Sequence, residues 1–223
     1  MRRLCAPVVA LFLLAGCGGA AGEESGTAQL WVTRDRGATV LLDVEVDAGQ
    51  TLMRALAGEL EIETRHGGRY LQAAAGIEGS LESQRDWFWF VNGYEGDRSA
   101  SEYRLRPGDV AWWDFRDWEQ AGEARVVVGA FPEPFLHGFE GETRPAVVRY
   151  APGLGAKARS LAARVAATSV EPLGTAVPAG ANVLEVRSGP DGLIGELLGE
   201  TGGDPVRFVW SGDPEPLRRF RVP

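Results

Sequence analysis

The stretch Asp86-Trp87-Phe88-Trp89-Phe90-Val91-Asn92-Gly93-Tyr94 constrains this chain more than any other. Five apolar residues run together, four of them aromatic, and the run ends at Asn-Gly, the dipeptide that best tolerates positive φ at both turn positions. Alternation sends Trp87, Trp89 and Val91 to one face of a strand and Phe88 and Phe90 to the other. A strand that is apolar on both faces is normally covered on both. A second block, Gly108-Asp109-Val110-Ala111-Trp112-Trp113-Asp114-Phe115, follows the same logic. Ala111, Trp113 and Phe115 share one face. Val110 and Trp112 share the other with Asp114 and Arg116. That second face is mixed, so Trp112 is expected to be the partly wet ring. The two blocks are two strands of one sheet, and their aromatics form either a domain core or the floor of a site for a flat ligand.

The strands preceding this pair are short. Gln29–Thr33 and Thr39–Val46 flank a hairpin loop, with Val40, Leu42, Val44 and Val46 expected on one buried face. Thr51 is placed to cap a helix over Leu52–Leu60, whose apolar stripe is Leu52, Ala55, Leu56 and Leu60. Ile62 and Tyr70–Ala73 are weaker strand candidates. In the C-terminal half, Arg125–Gly129 has the pattern of a buried strand, and Phe131–Gly138 is a proline-rich, partly apolar loop. Ala146–Tyr150, a helix from Leu154 to Ala167 and Ser169–Leu173 make a β-α-β unit. Val183–Val186, Leu193–Leu198, Val206–Trp210 and Phe220–Val222 complete the strands. The fold class is therefore α+β, with a β-grasp-like unit over residues 28–120 and a small α+β unit over 121–223.

Composition excludes several functions. The net charge is -8 and Lys157 is the single lysine, so the chain is a poor partner for nucleic acid. Both cysteines fall within the first seventeen residues. The folded part therefore has no thiol for a disulfide, a zinc site or a nucleophile. His66 lies in a polar turn and is read as solvated. His137 lies in the proline-rich loop and is read as capping or packing. No Gly-x-Ser-x-Gly is present. Asp109 is explained by turn chemistry, and Asp114 and Asp117 by an exposed strand face. Gly153-Leu154-Gly155-Ala156-Lys157 lacks the spacing of a phosphate loop. No catalytic cluster stands out, and no metal or cofactor is expected.

The N-terminus reads as an address. Arg2-Arg3 precedes the apolar run Ala6–Leu14, too short to span a bilayer as a mature helix. Leu14-Ala15-Gly16-Cys17 resembles a bacterial lipobox. That resemblance implies a signal peptide over residues 1–16, lipid on Cys17, a flexible tether over 17–27 and an extracytoplasmic protein held to the cell membrane.

A second resemblance lies in the aromatic region. Trp87-Phe88-Trp89-Phe90-Val91-Asn92-Gly93, then Tyr103-Arg104-Leu105, then Gly108-Asp109 and Trp112 are similar to the domain shared with the C-terminal part of transcobalamin and intrinsic factor. It covers roughly residues 28 to 118. In the vertebrate carriers this domain contributes one wall of the cobalamin site, and a separate helical domain supplies the other. The resemblance implies small-molecule capture with a corrinoid such as cobalamin as ligand rather than cofactor, and delivery to a membrane transporter. Trp89, Asn92, Gly93, Tyr94 and Trp112 are the expected ligand-binding residues, and the cleft between the two units is the expected place. A structural or protein-interaction module at the cell surface, with the aromatics as core, is the alternative.

Overall fold

The computed structural model describes residues 26–118 and 125–213. The expected signal peptide, Cys17, nearly all of the tether and the Phe220–Val222 strand lie outside the described residues. The chain is an α+β protein. Its first sheet holds β1 (Thr27–Arg34), β2 (Thr39–Asp47), β6 (Arg85–Val91), β7 (Tyr94–Glu95) and β8 (Val110–Asp117) in the order β2-β1-β8-β6-β7. A three-stranded sheet of β3 (Ile62–Arg65), β4 (Tyr70–Ala74) and β5 (Ile77–Glu78) stands beside it. The C-terminal sheet holds β9 (Ala146–Tyr150), β10 (Ser169–Pro172), β11 (Asn182–Arg187), β12 (Gly192–Leu197) and β13 (Val206–Ser211) in the order β10-β9-β11-β13-β12.

The two aromatic blocks pair as the alternation requires. β6 and β8 are antiparallel, with Trp89 opposite Trp113 and Phe90 opposite Trp112. β8 also pairs in parallel with β1. Trp87, Trp89, Val91, Ala111, Trp113 and Phe115 enter the main core, while Phe88, Phe90, Val110 and Trp112 face the other way with Trp31. Asn92 (φ 50°) and Gly93 (φ 82°) make the tight turn into β7.

Helix α1 (Leu52–Glu59) begins where expected, because the Thr51 hydroxyl accepts from the Arg54 amide at 3.3 Å. Leu52, Met53, Ala55 and Leu56 are its buried residues. In β2 the expectation fails at one end. The register against β1 shifts between Val32 and Thr33, so Leu41 is the extra residue and joins Leu42 and Val44 against the core. Val40 is turned to solvent. A bulge reverses the side-chain alternation beyond it.

Helix α2 (Gly155–Arg164) connects β9 to the parallel strand β10 and buries Ala158, Leu161 and Ala162. Arg164 does not simply leave the apolar stripe for water. Its guanidinium lies over the rings of Phe131 and Trp210 at 5.0 and 5.7 Å. Arg125–Gly129 is not a strand. Val126, Val127 and Val128 are buried, but the segment pairs only through an isolated bridge from Val126 to Tyr94.

Candidate functional site

The five residues expected to hold a ligand have separate fates. Asn92 is fully buried and spans the seam between the two units. Its Nδ2 donates to Asp109 Oδ1 and to the Gly138 carbonyl, both at 2.8 Å, and its Oδ1 accepts from the Val110 amide at 2.8 Å. The Gly93 carbonyl accepts from the Val127 amide at 2.7 Å. A Cβ on Gly93 would lie 2.9 Å from the Val127 oxygen, so no side chain fits there. Tyr94 donates its hydroxyl to the Asp204 carbonyl at 3.0 Å and meets Phe139 edge-on at 5.6 Å. Burial raises its phenol pKa well above the ordinary value. These three residues fasten the first unit to the loop 126–139 and to Asp204. The cleft expected between the units is filled by those contacts.

Trp112 corrects the expectation most sharply. It is 0 % exposed. Its indole donates to Thr33 Oγ1 at 2.8 Å and packs against Trp31 and Phe90. Val127 and Ala130 join the same cluster. The polar residues of this face are buried too. Asp114 accepts from the Thr33 hydroxyl at 2.5 Å and from the amides of Gly37 and Arg36, both at 3.1 Å. Arg116 lies between Phe88 and Phe90, 4.8 and 4.9 Å from their ring centres. Burial pushes the Asp114 carboxyl up and the Arg116 guanidinium down. The mixed face is therefore a covered polar-aromatic layer. Sequence alternation located the face, but the chain that covers it comes from elsewhere.

Only Trp89 remains beside open space. It lines a cleft of about 540 Å³ on the main-core side of the β6 edge, with Trp87, Trp113, Met53 and Leu71. The rim carries His66, Arg69 and Tyr70 from the β3–β4 hairpin, and Arg98, Ser99 and Ala100 from the segment after β7. Gly96 lies flat on the Trp89 ring, where a Cβ would come within 2.0 Å of Cε2. The two rims touch at one end. The Ser99 hydroxyl donates to the Arg69 carbonyl at 2.5 Å, and Arg69 pairs with Glu102. Arg98 is held by Asp97 and by Glu140. Tyr70 hydrogen-bonds Asp86. Burial, then that carboxylate, raises its phenol to about 12.

Sequence reasoning assigned His66 to solvent and did not single out Met53, Arg69, Tyr70, Leu71 or Arg98. The Arg65–Arg69 turn was visible as polar and glycine-rich, but its position opposite Arg98 depends on the three-stranded sheet. Nothing in this cleft resembles a catalytic constellation. Among the described residues no group of three His, Cys, Asp or Glu side chains could hold a metal ion, and no helix is long and apolar enough to cross a membrane. Away from the cleft, the buried Glu133 binds His137 through Oε1–Nδ1 at 2.5 Å and accepts the His137 amide at 3.0 Å. His137 is thus a packing residue whose ring lies against Gly108.

The fold and cleft are those of an α+β protein with an aromatic-floored recess at a sheet edge. Residues 49–117 match the family described as a domain of unknown function, DUF4430. That segment contains α1, the three-stranded sheet, β6, β7 and β8, and so every residue named around the cleft. Among solved structures the chain is similar to haptocorrin in complex with Cbi, with 15 % identity and a TM-score of 0.34. The match covers 41 % of this chain and 25 % of that one, so this chain spans about a quarter of haptocorrin's length. No curated protein matches the chain.

Proposed function

We propose that this chain is a non-catalytic binding protein that captures a small molecule in the cleft floored by Trp87, Trp89 and Trp113. The observation that supports this is the cleft itself. Its volume of about 540 Å³ falls in the range of small-molecule sites, and indoles bordered by a few polar groups suit a flat ring. In this reading lipid on Cys17 holds the protein to the outside of a bacterial cell membrane, and the bound molecule passes to a membrane transporter. A corrinoid such as cobalamin is the named candidate, on the strength of the aromatic motif and its resemblance to the transcobalamin type. A recess of this size would take one edge of so large a ligand rather than enclose it.

The test is titration with cyanocobalamin, read by tryptophan fluorescence and by the visible corrin band. The expected result is saturable quenching at about micromolar ligand, lost in Trp89→Ala. No change in either signal at millimolar ligand overturns the corrinoid reading.

One observation favours the second reading, an interaction module. Asn92, Gly93, Tyr94 and Trp112 all serve internal packing, so most of the aromatic motif acts as core. Capture of a protein partner by a chain that ignores every flat ligand would support it.

A further inference from the structure

The β6 edge inside the cleft carries main-chain groups that nothing uses. Pairing with β8 is continuous from Arg85 opposite Asp117 to Val91 opposite Ala111, and the Asn92 amide donates to Val110. In an antiparallel pair the main-chain groups alternate sides. Those of Phe88 and Phe90 therefore point toward β8, and those of Arg85, Trp87 and Trp89 point out of the sheet. Most of the outward set is satisfied. The Arg85 amide and carbonyl both bond Ser80, at 3.1 and 2.9 Å. The Trp89 carbonyl accepts from Gly96 at 2.9 Å, and the Trp87 amide donates to Asp86 Oδ1 at 2.8 Å. Two groups remain. Among the described residues no hydrogen bond reaches the Trp87 carbonyl or the Trp89 amide.

These two groups are an acceptor and a donor on one strand edge, either side of Phe88. The cleft lies there. Its lining includes Trp87 and Trp89 from one face of the sheet and Phe88 and Glu95 from the other, so it wraps the strand edge itself. In a parallel ladder one residue of a neighbouring strand donates to such a carbonyl and accepts from such an amide. Its side chain then stands beside the flanking side chains of the host strand. Here those are Trp87 and Trp89. The ladder cannot continue, because Ser80 closes one end of the gap and Gly96 the other.

We propose that the cleft takes a compact peptide-like ligand. One extended amide residue pairs its N–H with the Trp87 carbonyl and its C=O with the Trp89 amide, and lays an apolar side group on Trp87 and Trp89. This rests on the cleft being the binding site. It differs from open-ended strand addition, in which a long segment runs along a free edge.

The probe is acetyl-Ala-Phe-Ala-amide, titrated against the full chain by tryptophan fluorescence and by the NMR signal of the Trp89 amide. The comparison compound is the depsipeptide with an ester oxygen in place of the Phe N–H. The tripeptide is expected to bind saturably and move the Trp89 amide proton downfield. The depsipeptide is expected to bind about tenfold more weakly, as loss of one hydrogen bond dictates. Equal binding of the two, or binding that leaves the Trp89 amide unmoved, overturns the proposal. The same tripeptide extended by Gly-Ser arms at both ends distinguishes a small free ligand from a segment of a partner protein. Undiminished binding of that longer chain overturns the compact-ligand assignment. If cyanocobalamin perturbs Trp89 and the tripeptide does not, the cleft survives as a site and the peptide-like ligand falls. If neither perturbs it, both fall.

Discussion

The two faces of the β6–β8 pair carry almost the same chemistry and do different work. On one, Trp112 and Phe90 meet Trp31 and are sealed by Val127 and Ala130. On the other, Trp87, Trp89 and Trp113 border a cleft. Period-two alternation treats the faces alike, and both are rich in aromatic area. What separates them is cover. The Trp112 face is closed by the 126–130 segment, which follows the first unit in sequence and is fixed to it through the Gly93 carbonyl and the Asn92 amide group. The Trp89 face is covered in part by α1 and the β3–β4–β5 sheet, which leave a gap at the strand edge. An aromatic strand thus becomes core or site according to where its non-local neighbours stop.

The comparison is broken most severely on the sealed side. Trp112→Ala removes a fully buried indole and orphans its hydrogen bond to Thr33. It is expected to cost about 3–5 kcal/mol in chemical unfolding, as for other buried aromatic truncations. If Trp112 were a ligand platform open to water, the loss would be far smaller and binding would fall instead. Asn92→Ala comes next. It leaves Asp109, the Gly138 carbonyl and the Val110 amide each short of a partner. A cost of about 2–3 kcal/mol is expected, since unsatisfied buried groups bear their desolvation. Because Asn92 joins the two units, an unfolding curve that splits into two transitions would also identify it as the fastener.

The pH dependence sharpens the contrast between the sealed seam and the open cleft. Burial raises the carboxyls of Asp109, Asp114 and Glu133 above their ordinary values. For a raised carboxyl the folded state keeps its proton at pH values where the unfolded state has lost it. The stabilisation is complete below the unfolded value near 4 and is lost as pH rises through the folded value. The chain is therefore expected to be more stable at mildly acidic pH than at neutrality. Glu133→Gln should flatten that slope, measured as unfolding midpoints between the two. A slope of opposite sign would show that hydrogen bonds from Asn92, Tyr103 and the Arg106, Gly37 and His137 amides outweigh burial.

Much of this was legible in the residues. The facing of Trp87, Trp89 and Val91 against Phe88 and Phe90, the Asn92-Gly93 turn, the Thr51 cap and the β9-α2-β10 unit all follow from local pattern. The failures share one cause. Trp112 and Asp114 were read as exposed because they stand on a mixed face, and only the distant Thr33, Arg36, Gly37 and Val127 bury them. Val40 was misplaced by a bulge that no residue type announces. Arg125–Gly129 has the composition of a strand but meets only Tyr94, through a single bridge. The cleft was invisible for the same reason, since its walls are assembled by tertiary packing across two sheets and a helix.

The smallest expected effect belongs to the cleft rim. Tyr70 is about 40 % exposed, and its hydroxyl bonds Asp86 at the foot of β6. Tyr70→Phe keeps the ring and removes that bond, so the stability change should stay within about 1 kcal/mol. The readout is spectroscopic. The Tyr70 phenol is raised to about 12, against an ordinary value of 10, so phenolate absorbance should develop late for this residue and vanish in the variant. The Asp86 carboxylate whose Oδ2 takes the Tyr70 hydroxyl also takes the Trp87 amide on Oδ1. Releasing it should loosen the edge at which the Trp87 carbonyl stands and weaken ligand binding while leaving the sealed face unchanged. A Tyr70→Phe chain that loses stability as steeply as Trp112→Ala would mean that the rim is core after all, and that the two faces differ in degree and not in kind.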